Sequence, residues 1–228
     1  MIKENLKNVY ENIEKSKEKS PYDQDVTLVA VSKTKPIEFI AEAYEAGQRD
    51  FGENKVQELC SKSNMLPEDI RWHLIGHLQT NKVKQVIDKV YMIHSVDSLH
   101  LAETINEEAA KKGIVVKILV QVNVSGEETK FGIKPSEVTE FVKQISKMPN
   151  IKMEGFMTIA PFTENPEENR CFFHDLKKIS VDTSALNIDN ISVRHLSMGM
   201  SGDYRTAIEE GATIIRVGTS IFGERSYL

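Results

Sequence analysis

Short apolar runs alternate with longer amphipathic stretches along almost the whole of this chain. A short apolar run between turn residues is typical of a buried strand, and apolar residues three or four positions apart are typical of a helix with one buried face. The apolar runs predict eight strands, at residues 26–32, 49–53, 71–76, 90–95, 115–123, 151–158, 192–198 and 213–218. The stretches between them predict helices at residues 37–46, 55–63, 81–88, 98–112, 135–148, 166–179 and 204–210.

This order of elements predicts parallel strands joined by crossover helices. Eight such strands with no linker between them predict a single α/β domain over residues 1–228, closed as a (β/α)8 TIM barrel. A doubly wound open sheet is the structural alternative, since the number of strands does not establish closure. Residues 1–20 add a leading amphipathic helix, whose apolar positions are Ile2, Leu6, Val9, Tyr10 and Ile13.

Composition and charge narrow the classes of function. The 228 residues are 40% hydrophobic and 28% charged, with a net charge of -5, unlike the basic balance of a protein that binds nucleic acid. Cys60 and Cys171 lie far apart and form neither a zinc motif nor a disulfide framework, so a cytoplasmic location is expected. No secretory signal is present, and no apolar run approaches the roughly 20 residues that cross a bilayer, so no membrane association is expected.

Lys33 is the residue whose position most needs an explanation. It follows the apolar run 26–31, at the carboxyl end of the first predicted strand. A desolvated lysine amine at such a place is a nucleophile that forms Schiff bases with carbonyl compounds. The alternative is a surface lysine whose stem packs on the strand end while its charge reaches water.

The loops after the seventh and eighth strands of a TIM barrel are its usual phosphate site, because small residues there let backbone N–H groups approach an anion. Here the first loop contains Ser201 and Gly202, and the second contains Gly218 and Thr219. Glycine removes side-chain obstruction, and hydroxyl groups add donors. Either loop alone is better explained as a tight turn with ordinary capping, but the two together favour a phosphate site.

A phosphate site facing a strand-end lysine indicates a phosphorylated aldehyde. Two such ligands fit: pyridoxal phosphate, or a sugar phosphate in a Schiff-base aldolase. Arg216 on the eighth strand bears on the choice, because a cation beside a pyridine nitrogen keeps it unprotonated and weakens pyridoxal phosphate as an electron sink. An ion pair between Arg216 and a barrel carboxylate is the other interpretation.

Three further features have a structural interpretation beside a functional one. His73 and His77 are expected on one face of the third strand, but no third ligand follows at a suitable spacing, so no metal site is predicted and His77 is expected at the pocket mouth. Residues 123–132 form a polar loop with glycine, either a surface turn or a lid. Four methionines are expected to fill the core or the pocket: Met153, Met157, Met198 and Met200.

Six segments, in order between residues 26 and 223, resemble the pyridoxal phosphate homeostasis proteins, an alanine racemase N-terminal-domain-like family. The number of motifs and their order make the resemblance specific. The segments are Val29-Ala-Val-Ser-Lys33-Thr34, Phe51-Gly-Glu-Asn54 with Gln57-Glu58, His73-Leu-Ile-Gly-His77-Leu-Gln-Thr-Asn-Lys82, Gly155-Phe-Met-Thr158, Ser197-Met-Gly-Met-Ser201 with Asp203, and Arg216-Val-Gly218 through Ile221-Phe-Gly223.

The resemblance implies a fold-type-III barrel that carries pyridoxal 5'-phosphate as a Schiff base on Lys33. It implies that Arg216 lies near the pyridine nitrogen, that the two small-residue loops surround the phosphate, and that Asn54 and His77 lie close to the cofactor. The predicted cofactor-binding set is Lys33, Asn54, His77, Met157, Ser197, Ser201, Gly202, Arg216, Gly218 and Thr219. No catalytic or metal-binding residue is predicted.

The resemblance also implies a carrier or buffer of the cofactor in intracellular vitamin B6 homeostasis, without established catalysis. Apo-enzymes that accept the cofactor are the expected partners, and a monomer is expected. The related racemases add a β-rich domain that completes the active site, whereas this chain ends five residues after Gly223. Two-base racemisation needs acids or bases on both faces of the substrate, and this requirement favours binding over catalysis. An amino-acid racemase is the first alternative and a Schiff-base sugar-phosphate aldolase the second.

Overall fold

The computed structural model describes residues 1–224, so residues 225–228 of the predicted domain lie outside the described part. Its strands are β1 (Thr27–Val31), β2 (Asp50–Glu53), β3 (Arg71–Leu74), β4 (Met92–Val96), β5 (Val116–Gln121), β6 (Ile151–Met157), β7 (Ile191–Met200) and β8 (Ile214–Val217). They are all parallel and pair in sequence order, and β8 closes the barrel on β1 with Ile215 opposite Leu28. The predicted TIM barrel is therefore confirmed, and the open sheet is excluded.

Helices surround the barrel and connect its strands. The α-helices are α1 (Ile2–Lys17), α2 (Ile37–Glu45), α3 (Val56–Ser63), α4 (Val83–Val86), α5 (Leu99–Lys112), α6 (Val138–Ile145), α7 (Arg170–Ala185), α8 (Tyr204–Glu209) and α9 (Thr219–Phe222). Short 3-10 helices precede three of them, at Thr80–Lys82, Pro135–Glu137 and Pro166–Asn169. No helix among residues 1–224 is both long and apolar enough to cross a membrane.

The leading helix α1 packs on the barrel through four of its five predicted apolar positions. The fifth, Tyr10, lies at the edge of the contact, where its hydroxyl donates to Gln48 Oε1 at 2.7 Å. The interface of α1 with α8 and α9 places the helix beside the loops that follow β7 and β8. This helix therefore supports the carboxyl end of the barrel.

The buried core has two parts. The larger lies between the strands and the surrounding helices, and the smaller fills the barrel interior with Val29, Met92, Leu119, Met157 and Ile214. Side chains alternate along a strand, so β1, β4, β5, β6 and β8 each contribute to both parts. The barrel interior also holds buried polar side chains, which include His73, His94, Ser197 and Arg216.

Candidate functional site

A cavity of about 470 Å³ opens at the carboxyl ends of the strands, the face where TIM barrels place their binding sites. Its volume is that of a small-molecule site. Seven of the ten residues predicted to bind the cofactor line it: Lys33, Asn54, Ser201, Gly202, Arg216, Gly218 and Thr219. The fold thus brings together residues that lie up to 186 positions apart in the sequence, since β8 is the neighbour of β1.

Lys33 is partly buried and follows β1 between two anchored residues. The Ser32 hydroxyl donates to Glu53 Oε1 at 2.6 Å, and the Thr34 N–H donates to Glu58 Oε1 at 2.6 Å. Thr34 has a φ of 63°, which is unfavourable for a β-branched residue and persists only where its surroundings fix it. The backbone that carries Lys33 is therefore held in one conformation.

Lys62 of α3 forms hydrogen bonds with the groups that fix the backbone on either side of Lys33. Its Nζ donates to the Ser32 carbonyl and to Glu53 Oε1, both at 2.8 Å, and to Glu58 Oε1 at 2.6 Å. Burial raises the pKa of Glu53, although the Lys62 charge opposes the shift. Glu53 Oε2 is buried and has no hydrogen-bond partner among the described residues. This buried ion-pair network ties the ends of β1 and β2 to α3.

The two small-residue loops meet at one wall of the cavity. The Gly218 N–H donates to Ser201 Oγ at 3.1 Å, which connects the loop after β7 to the loop after β8. A Cβ on Gly218 would lie 3.1 Å from the Val31 carbonyl oxygen, so glycine permits the close approach of β8 to β1. A Cβ on Gly202 would have no neighbour within 4 Å.

These loops present backbone donors to the cavity. The N–H groups of three residues that line the cavity, Ser201, Gly202 and Thr219, donate to no acceptor among the described residues. N–H groups with hydroxyl groups beside them are the kind of donor set that a phosphate accepts from. The geometry thus fits an anion at this wall.

Arg216 forms the floor of the cavity and is only 4% exposed. Its Nη1 donates to Ser197 Oγ at 2.6 Å and its Nη2 to the Thr158 carbonyl at 2.8 Å. No carboxylate among the described residues forms an ion pair with it, so the ion-pair interpretation of Arg216 is wrong. Burial lowers the pKa of Arg216 to about 10, with Asp203 opposing the shift, so the guanidinium remains charged at neutral pH.

The other three predicted residues lie away from the cavity wall. Ser197 is fully buried beneath Arg216, and Met157 belongs to the apolar layer inside the barrel. The His77 ring stacks on Phe131 at 4.1 Å between ring centres, and its Nδ1 lies 3.4 Å from Asp97 Oδ2. His77 is therefore beside the 123–132 loop, and its role toward a ligand remains a prediction.

His73 and His77 do not share a strand face, contrary to the sequence-based expectation. β3 ends at Leu74, because the chain turns at Gly76, where a Cβ would lie 2.4 Å from the Asn54 carbonyl oxygen. The His73 side chain points into the barrel and is 1% exposed. Among residues 1–224, no group of three His, Cys, Asp or Glu side chains is arranged to hold a metal ion.

Several cavity residues were not predicted from the sequence. Asp203 accepts from the Met200 N–H at 2.7 Å and from Asn169 Nδ2 at 2.8 Å, and this fixes the loop after β7. Asp203 lies in one of the six segments that carry the family resemblance, but nothing in the sequence indicates its hydrogen bond with Asn169, 34 residues earlier. The rim also includes Phe162, which is 95% exposed, and Thr163, both in the loop after β6.

Comparison with known proteins agrees with this arrangement. The family model described as the alanine racemase N-terminal domain matches residues 5–226. A pyridoxal phosphate homeostasis protein of Aquifex aeolicus is 45% identical over 226 residues, 98% of each chain, and a human protein of that name is 39% identical, covering 97% of this chain and 86% of its own. The solved structure of PipY from Synechococcus elongatus with PLP bound is 36% identical, has a TM-score of 0.86, and covers 98% of this chain and 100% of that one.

Proposed function

We propose that this chain, which belongs to the pyridoxal phosphate homeostasis proteins of the alanine racemase N-terminal-domain family, binds pyridoxal 5'-phosphate and acts as its carrier or buffer in vitamin B6 homeostasis. The observation that carries the proposal is one cavity that holds an amine, a buried cation and a set of backbone donors without protein acceptors. These three groups match the aldehyde, the pyridine nitrogen and the phosphate of the cofactor.

Each group has a distinct part in binding. Lys33 is the proposed point of covalent attachment, through an imine formed with loss of water. Ser201, Gly202, Gly218 and Thr219 are proposed to hold the phosphate, with Asn54 beside the ring. When bound, the cofactor supplies an electron-withdrawing ring, and the Arg216 guanidinium beneath it disfavours protonation of the ring nitrogen and so weakens that property.

The cavity favours binding over turnover. Among the described residues that line it, the side chains that titrate are Lys33, Asp203 and Arg216. Both Asp203 oxygens already accept hydrogen bonds, and Arg216 keeps its proton near neutral pH. Two-base racemisation needs a second acid or base across the substrate, which these described residues do not supply. The relatives named as homeostasis proteins support the same conclusion.

Titration with pyridoxal 5'-phosphate, followed by visible absorbance, tests the proposal. We expect saturable binding with a new visible band, lost in Lys33→Ala and retained in Lys55→Ala, an exposed lysine beside Asn54. Absence of saturable binding to the unmodified protein would overturn the proposal.

The carrier role is tested separately from binding. We expect loaded protein to transfer its cofactor to an apo-enzyme, measured against an equal amount of free cofactor, and to act as a monomer in sedimentation. Incubation with L- and D-alanine tests the racemase alternative. Steady interconversion on the order of one turnover per second or faster would replace the carrier role by an enzymatic one.

A further inference from the structure

A continuous chain of hydrogen bonds runs through the barrel interior and ends at Arg216. Arg216 Nη1 lies 2.6 Å from Ser197 Oγ, which lies 2.9 Å from His94 Nδ1. His94 Nε2 lies 2.8 Å from His73 Nδ1, and His73 Nε2 lies 3.0 Å from Asp50 Oδ1. All five side chains are buried, so water does not compete for these bonds.

With both histidines neutral, the two ends of the chain fix the direction of every bond within it. Arg216 can only donate, so Ser197 Oγ accepts from it and has its single O–H to donate to His94 Nδ1. His94 must then carry its proton on Nε2 and donate to His73 Nδ1. His73 in turn carries its proton on Nε2 and donates to Asp50, whose carboxylate can only accept.

We propose that Ser197, His94, His73 and Asp50 are positioning residues that hold the Arg216 guanidinium in place beneath the cofactor, with both histidines neutral and protonated on Nε2. The proposal rests on the proposed function for its consequence at the cofactor, but the hydrogen-bond direction is a property of the protein alone. A charged His94 would present N–H groups to both neighbours. The Ser197 hydroxyl would then lose its acceptor in this chain.

The surroundings of the chain support this assignment. Burial lowers the pKa of His94 well below 6.5, and the positive charge of the nearby Arg216 adds to the shift. At the other end, burial acts to raise the pKa of Asp50, but hydrogen bonds from Arg71 and His73 outweigh it. Arg71 donates to both Asp50 oxygens, from Nε at 2.7 Å and Nη2 at 2.5 Å, which keeps the carboxylate ionised as an acceptor.

Nitrogen-15 NMR of histidine-labelled protein without cofactor tests the direction of the chain. We expect His73 and His94 each to carry a single ring proton, on Nε2, in protein held at about pH 8. Asp50→Asn should release His73 from this single tautomer, since an amide can donate as well as accept. A wild-type protein in which either histidine is charged near neutral pH, or carries its proton on Nδ1, would overturn the proposal.

Affinity for pyridoxal 5'-phosphate tests the consequence. Ser197→Ala and His94→Leu should weaken binding about tenfold or more, because Arg216 loses its anchor. His94→Asn should retain most of the affinity, since its Oδ1 can accept from Ser197 in place of Nδ1. Ser180→Ala is the fold control, a buried serine of α7 whose hydroxyl donates to the Lys177 carbonyl.

The outcomes separate this proposal from the proposed function. Wild-type affinity in both Ser197→Ala and His94→Leu would overturn the positioning role while leaving cofactor binding intact. If the wild-type protein fails to bind the cofactor, the proposed function fails, and the tautomers seen by NMR still decide whether the chain has the direction assigned here.

Discussion

Gly202 combines two properties that make it a direct probe of the phosphate wall. It lines the cavity, and a Cβ at its position would meet no protein atom within 4 Å. Its side-chain position is therefore free in the protein itself, unlike that of Gly218, which lies against Val31. Any cost of a larger residue at position 202 should come from the ligand.

Gly202→Ala should weaken binding of pyridoxal 5'-phosphate by about tenfold while leaving the melting temperature unchanged. The added methyl group would stand between the backbone donors and the phosphate. Binding of pyridoxal, which has no phosphate, is the matched control and should be unaffected. An equal loss for both ligands, or for neither, would contradict the phosphate assignment.

Burial of neutral His94 should lower the stability of the folded protein in mild acid. Its pKa is well below 6.5 in the folded protein because burial disfavours the charged form, whereas the unfolded chain titrates near 6.5. The unfolded state therefore binds more protons as the pH falls through this region, and stability decreases. The Asp50 carboxylate affects stability at lower pH, because its pKa lies below 3.8.

The free energy of unfolding should fall as the pH decreases from about 7 to about 5, with a slope of up to about 1.4 kcal/mol per pH unit from His94. His94→Asn should flatten this slope, since asparagine does not titrate. Urea denaturation at several pH values measures both slopes, and equal slopes would refute the claim. His195, whose pKa burial also lowers, remains in both proteins and contributes equally.

At the scale of elements, α3 secures the strand end that carries Lys33. Lys62 is the cation of a buried network with Glu53 and Glu58, and it also binds the Ser32 carbonyl. Removing one partner of a buried ion pair leaves the other charge uncompensated, which costs more than the pair contributed. The network should therefore be among the more sensitive parts of the fold.

Lys62→Met should destabilise the protein by about 3–5 kcal/mol, and the loss should grow with pH as Glu53 becomes charged without a partner. Adding Glu53→Gln should recover part of the loss. Urea denaturation measures these values, with Lys84→Met, an exposed lysine of α4, as the control. A loss below about 1 kcal/mol at every pH would contradict this account of the network.

The sequence pattern locates the strands well, because each strand is an apolar run between turn residues. It misplaces the end of a helix where the buried residues are polar. α7 continues to Ala185 rather than ending near residue 179, since Ser180 and Thr183 are buried on its inner face. β7 extends to Met200 because Gly199, with a φ of 89°, lets the strand pack against Tyr204 and Ala207 of α8. α9 was not predicted, because its four residues are too few to show the apolar spacing that identifies a helix.

At the scale of the whole molecule, barrel closure creates the site. Lys33 and Arg216 lie near opposite ends of the sequence, and the pairing of β1 with β8 brings their strands together. Strand-end positions and small-residue loops were enough to predict Lys33, Arg216 and the residues of the two loops after β7 and β8, but not Phe162, Thr163 or Asn169. The series of hydrogen bonds from Arg216 to Asp50 could not be predicted. Its five residues lie on five different strands, and their contacts depend on how those strands are aligned in the barrel.

Attachment of the cofactor to Lys33 is the step on which the proposed function depends. The most direct measurement is borohydride reduction of protein incubated with pyridoxal 5'-phosphate, followed by mass spectrometric mapping of the modified peptide. We expect one stable adduct on Lys33, absent from Lys33→Ala and present at wild-type level in Lys55→Ala. A specific adduct on another lysine, or undiminished specific labelling of Lys33→Ala, would contradict it.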